Sequence, residues 1–172
     1  ARQPITGASD HLVSEALYLD DPDGLGIELY RDRPRSEWPP PAPGERVRMD
    51  TLPLDLDPIL AAADPGGPAD GVEIGHVHLK VADLDRALGF YCGVLGFEVM
   101  QRLGSGAAFI SAGGYHHHIG LNTWESKGGH PPPPGTTGLF HTAIVYPTRA
   151  ALADALHRVI QAGIQLDGAS DH

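Results

Sequence analysis

The chain has 172 residues, of which 41% are hydrophobic, enough for one domain of ordinary size with its own core. Its 12 basic and 22 acidic side chains give a formal net charge of −10, which argues against a nucleic-acid or anionic-membrane surface because both reward clustered Lys and Arg. No apolar run approaches the roughly 20 residues needed to cross a bilayer, and a single cysteine, Cys92, excludes an internal disulfide framework and fits a reducing cytoplasm.

With 22 glycines and 16 prolines, the elements must be short and punctuated by turns. The run 12-LVSEALYL-19 alternates imperfectly and meets 20-DDPDG-24, where Pro22 and Gly24 supply a tight turn. In 25-LGIELY-30, Ile27 and Leu29 share one face while Glu28 and Tyr30 share the other, so residues 12–30 predict a β-hairpin. The stretch 34-PRSEWPPPAPGE-45 is too proline-rich for a sheet interior and reads as an extended linker. Then 53-PLDLDPILAAAD-64 has room for one or two helical turns before 65-PGGPADG-71 breaks the chain again.

A second block opens at 74-IGHVHLKV-81, a cleanly alternating strand. Asp83 is placed to cap a helix over 84-LDRALGFYCGVL-95, whose Leu84, Ala87, Leu88, Tyr91 and Leu95 recur at helical spacing, and Gly96 ends it. Strands at 97-FEVMQRL-103, 107-AAFISAG-113 and 115-YHHHIGLNTW-124 complete a β-α-β-β-β order. Beyond the loop 127-KGGHPPPPG-135, 138-GLFHTAIVY-146 predicts another strand and 148-TRAALADALHRVIQAG-163 another helix closed by Gly163. A further strand is expected to start at 164-IQLDG-168. The fold class is α+β.

Two repeats stand out. The β-α unit at 75–91 recurs at 138–163 and places His76 and His141 at matching positions in their strands. The pentapeptide Gly7-Ala8-Ser9-Asp10-His11 returns as Gly168-Ala169-Ser170-Asp171-His172. The first copy precedes the hairpin that carries Glu28, so the chain reads as the middle of a longer protein cut within its last repeat; a permuted order would leave the same trace. The run 116-HHH-118 is internal and continues into strand-like sequence, which a purification tag would not do. On a strand, His116 and His118 share one face and His117 takes the other, so the three cannot all aim at one ion. By the same period His78 lies with His76 and is its rival as a ligand. A lone histidine in an apolar strand is more often a hydrogen-bonded core residue, and only the matched pair of strands weighs against that.

The order β-α-β-β-β with 75-GHVHLKVADLDRALGFYCGVLGFEV-99 resembles the vicinal oxygen chelate superfamily of glyoxalases, bleomycin-resistance proteins and extradiol dioxygenases. More narrowly, 10-DHLVSEALYLDDPDGLGIELYRDRP-34, 113-GGYHHHIGLNTW-124 and 138-GLFHTAIV-145 resemble its catechol 2,3-dioxygenase-like branch. The resemblance implies paired β-α-β-β-β modules forming a half-open, barrel-like sheet around a metal pocket. Residues 1–32 would be the terminal hairpin of a first such domain, 33–71 a Pro/Gly-rich linker, and 72–172 a second domain with an incomplete last module.

It also implies a ligand set. His76 and His141 match the two imidazole ligands. The third, a carboxylate on a final strand, has Glu28 as its repeat counterpart. Glu28 completes the site if residues 8–30 occupy the place of that last hairpin, by permutation or by exchange between chains; otherwise it belongs to a non-catalytic copy. Two imidazoles and one carboxylate suit Fe(II), with Mn(II) as the alternative, and leave room for a diol and O2. His117 matches the acid–base histidine, a role that imidazole fills near neutral pH. His11 and Tyr18 match residues that hydrogen-bond substrate oxygens, and His172 is the second copy of His11. His116 and His118 are then expected to face solvent or an interface.

The leading expectation is an extradiol ring-cleaving dioxygenase of small aromatic diols. A glyoxalase-type metal-dependent lyase or isomerase would use paired carboxylates and would not need His117; a metal-free bleomycin-resistance-like binder would need neither His76 nor His141. Open sheet edges predict a homo-oligomer.

Overall fold

Asp21 closes the first hairpin with its own carboxylate, which accepts the N–H groups of Asp23 at 2.9 Å and Leu25 at 2.7 Å, while Gly24 takes a φ of 80°. This turn pairs β2 (Ser14–Asp20) with β3 (Gly26–Asp32) antiparallel, setting Tyr18 opposite Glu28 and Ala16 opposite Tyr30. The expected hairpin is therefore present. A strand not read from the sequence, β1 (Ile5–Asp10), covers the other edge of β2, and the short β4 (Leu52–Pro53) pairs with β1, giving the order β3-β2-β1-β4. Arg33 ties the base of this sheet together by donating to Asp10 at 2.8 Å and to Glu15 at 3.3 Å. The proline-rich region that follows holds a 3₁₀ turn at Arg35–Glu37 and one short helix, α1 (Asp57–Ala61). These features come from a computed structural model that describes residues 4–64, 66–67 and 70–168.

The chain divides into two compact units, Ala1–Gly75 with Pro133–Gly138, and His76–Pro132 with Leu139–His172. The second contains one full β-α-β-β-β module: β5 (Val77–Lys80), α2 (Leu84–Tyr91), β6 (Glu98–Leu103), β7 (Ala107–Ser111) and β8 (Ile119–Asn122). The sheet order is β5-β8-β7-β6, with β5 and β8 parallel and the other pairs antiparallel. Asp83 caps α2 as its sequence position suggests, accepting the Arg86 N–H at 2.8 Å. Removing that acceptor leaves an orphan donor in the first turn, so Asp83→Ala is expected to cost about 1 kcal/mol in urea unfolding. The helix ends at Tyr91, four residues before the predicted end. Residues 92–95 loosen into a wide turn in which Val94 and Leu95 both donate to the Phe90 carbonyl, and Gly96 reverses the chain at a φ of 90°.

Leu84 and Leu88 of α2 pack on Ala108, Ile110, Ile119 and Leu121, which makes one face of the sheet an apolar layer. Burial of such side chains contributes about 1.5–3 kcal/mol each. The opposite face is left for other residues.

Three predicted strands differ. The run 115–124 becomes a strand only from Ile119, because Gly113 and Gly114 adopt φ values of 72° and 76° and turn the chain before it. The stretches 138–146 and 164–168 form no strand among the described residues. Alternation gives a segment a face, but a strand also needs a neighbour to take its N–H and C=O groups. The described residues offer none, and Phe140 and Val145 stand 94% and 90% exposed. The repeated β-α unit therefore contributes only its helix, α3 (Arg149–Gln161), capped by Thr148 and followed by Gly163 at a φ of 70°. Arg158 of α3 donates to the carbonyls of Val94 at 2.8 Å and Leu95 at 3.3 Å, anchoring it beside the turn after α2. Among the described residues the result is α+β with two four-stranded sheets, not a closed barrel. Among the described residues no helix is long and apolar enough to cross a membrane.

Candidate functional site

Strand alternation turns Val77 and Leu79 of β5 toward α2, so His76, His78 and Lys80 take the other face. His78 stands opposite Gly120 of β8, and Gly120 stands opposite Phe109 of β7. A Cβ at position 120 would collide with the His78 imidazole. The glycine therefore lets that ring lie across β8. Into the same place the turn after β7 delivers His117. Its ring centroid lies 4.2 Å from that of His76, 5.0 Å from Phe109 and 5.7 Å from His78. His116 lies 6.0 Å from His76.

The three consecutive histidines do not follow strand alternation, because residues 113–118 are turn and bend. His116, expected to face solvent or an interface, is instead 1% exposed, and His117 is 7% exposed. Their Nδ1 atoms are 2.8 Å apart. Tyr115 stacks on His116 at 4.1 Å between centroids. His118 is half-buried and joins the end of β7 to the start of β8: its Nδ1 accepts the Ala112 N–H at 3.3 Å and lies 3.0 Å from Ser111 Oγ. Burial, and secondarily the charge of His76, push the His118 imidazole below its ordinary pKa, which favours this accepting role.

Asn122 and Phe109 belong to this face and were not singled out from the sequence. Asn122 follows Gly120 by two residues and so points the same way; it is buried, and its Oδ1 accepts no hydrogen bond among the described residues. The period-two rule that placed His78 could have found it.

Of the other predicted residues, His11, Tyr18 and Glu28 come together on the first sheet. His11 Nδ1 donates to the Asp50 carbonyl at 2.7 Å, and its Nε2 lies 2.6 Å from the Tyr18 hydroxyl. Burial first, then the adjacent Glu28 carboxylate, hold the Tyr18 hydroxyl well above its ordinary pKa. A raised folded-state pKa means this contribution to stability is intact below about pH 10 and is lost as the pH climbs toward the folded value. Tyr18→Phe is expected to cost roughly 1 kcal/mol at neutral pH through the lost hydrogen bond. It should also flatten the fall in stability above about pH 10, which urea unfolding at neutral and alkaline pH would measure. His141 is exposed on the unpaired stretch, with its ring against Phe140 at 4.9 Å. His172 lies outside the described residues.

His76 and His141 fall in one compact unit and Glu28 in the other. Among the described residues no group of three or more His, Cys, Asp or Glu side chains is arranged to hold a metal ion. The imidazole face has the donor chemistry for part of a two-histidine, one-carboxylate centre.

Comparison with known proteins bears on this face directly. The chain is 45% identical over 166 residues to a catechol-2,3-dioxygenase of Bacillus subtilis, a match covering 94% of this chain and 58% of that protein, so it spans little more than half the length of this relative. The crystal structure of the Mn(II)-bound glyoxalase from Novosphingobium aromaticivorans is 22% identical, matching 94% of this chain and 44% of its own with a TM-score of 0.30. The family model described as Glyoxalase/Bleomycin resistance protein/Dioxygenase superfamily matches residues 73–172, which include the whole β5–β8 module and its imidazole face. The chain belongs to that superfamily.

Proposed function

We propose that the imidazole face of the second sheet is the substrate side of an extradiol ring-cleaving dioxygenase, acting on a small aromatic diol with O2. The observation that carries this reading is the placement of His117, buried among His76, His78 and Phe109 on the sheet face away from α2. The 45% identity to a catechol-2,3-dioxygenase supports it. An imidazole there can accept a diol proton and return it near neutral pH. Phe109 offers an aromatic wall against which a substrate ring can stack or set its edge. The His78 imidazole, lying over Gly120, forms part of the floor, and the Asn122 amide oxygen is an acceptor for a hydroxyl.

The reading includes a non-haem divalent metal, Fe(II) with Mn(II) as the alternative, and His76, His141 and Glu28 as its proposed ligands. His11 and Tyr18, with His172 as the second copy of His11, are the proposed hydrogen-bond partners of substrate oxygens. The test is to load the protein anaerobically with Fe(II) or Mn(II), add catechol, then admit O2. Uptake of O2 mole for mole with the diol, with a yellow ring-opened product, is the expected result. Diol binding with no O2 uptake under either metal would instead fit the binder, and turnover of a thiol-carbonyl adduct without O2 would fit the glyoxalase-type isomerase.

A further inference from the structure

We propose that the cleft beside α2 is a second binding site, outside the imidazole face, which takes a small aromatic carboxylate with its anionic end on Arg86 and its ring against Phe90 and Tyr91. The inference is independent of the reaction proposed above.

The cleft forms because the chain after β8 is fastened at one end. Ser126 Oγ donates to the Val81 carbonyl at 2.9 Å, and the Gly128 N–H donates to the Ala82 carbonyl at 2.8 Å. These bonds tie 126–128 to the link between β5 and α2, and the segment that follows, through Pro132, supplies the opposite wall. The space between is about 700 Å³, within the roughly 300–1,000 Å³ of small-molecule sites. Pro131 and Pro132 stiffen that wall and carry no N–H. On the helix side the rings of Phe90 and Tyr91 meet edge to face, with centroids 5.1 Å apart at 82°. Phe90 is 38% exposed, so a planar ligand laid against it would take apolar surface out of water.

Charge selects the other end of the ligand. Of the charged groups lining the cleft, Lys80 is paired with Glu125, and Asp83 accepts the Arg86 N–H at 2.8 Å as the cap of α2. The Arg86 guanidinium has no hydrogen bond or ion pair among the described residues. Its planar fork matches a carboxylate through two parallel N–H donors. A single uncommitted cation close to Asp83 and Glu125 suits a monoanion better than a phosphate dianion, which the two carboxylates would repel more strongly.

The test titrates the 15N-labelled protein with benzoate, benzyl alcohol and acetate and follows the backbone amide resonances. Benzoate should give saturable shifts centred on Arg86, Phe90, Gly129 and His130. Benzyl alcohol and acetate each lack one half of the recognised group and should bind about tenfold more weakly or worse. Arg86 is exposed, so Arg86→Gln should leave the urea midpoint unchanged while weakening benzoate by about tenfold or more and affecting benzyl alcohol far less. Phe90→Leu, which keeps an apolar side chain without an aromatic face, should weaken benzoate and benzyl alcohol together. Benzoate shifts that do not saturate, that centre on His117 and Asn122, or that persist unchanged in Arg86→Gln overturn the proposal, as does benzyl alcohol binding as tightly as benzoate. No turnover is read, so this result and that of the dioxygenase test stand or fall separately.

Discussion

His117→Gln is expected to lower the rate of diol ring cleavage at saturating substrate by about 10²- to 10⁴-fold, the range spanned by positioned acid–base groups. Glutamine preserves much of the bulk that fills the space between His76 and Phe109, and its amide can still hydrogen-bond His116. What it cannot do is take a proton near neutral pH. The loss should therefore fall on kcat, with KM changed far less, because Phe109 and His78 remain in place. Steady-state O2 uptake at several diol concentrations separates the two. A loss of only a few-fold would remove His117 from the chemistry and leave it a packing residue.

Leu121→Ala is expected to cost about 3 kcal/mol, within the 2–5 kcal/mol typical of buried leucine truncations. Leu121 is fully buried in the middle of β8, the strand that pairs with both β5 and β7, and it belongs to the apolar cluster beneath α2. Domains are stable by only about 5–15 kcal/mol, so this single change removes a large share. It also acts on the site from behind, since Gly120 and Asn122 on the same strand form part of the opposite face. Urea unfolding of the two proteins at equal slope gives the difference, and a loss under about 1 kcal/mol would mean that the layer is not close-packed.

Most of the module was legible because its elements are short-range and self-consistent. Asp83 is an N-cap by composition and in the structure, the apolar spacing of Leu84 and Leu88 gives the buried stripe of α2, and the Pro22–Gly24 turn pairs β2 with β3. Two of the misreadings share one cause, which is that period two was applied where no strand forms. In 113–118 the two glycines turn the chain, so His116 and His117 converge although alternation would part them. In 138–146 the alternation is real but no neighbour supplies hydrogen bonds among the described residues, so His141 lies on an exposed stretch. Strand β1 went unread because Gly7, Ala8, Ser9 and Asp10 have little β propensity; pairing with β2 and β4 overrides it.

The site's location follows from these same particulars. A cleft of about 700 Å³ lies beside α2, lined by Arg86, Phe90, His130 and Pro131 among others, but it contains none of the residues that converge on His117. The imidazole face and this cleft make opposite predictions for a paramagnetic probe. With Mn(II) added well below one equivalent to 15N-labelled protein, ring resonances of His76, His117 and His141 should broaden first and that of His130 last. Broadening that begins at His130, or that spreads evenly over all the histidines, would contradict a metal-dependent site on the imidazole face.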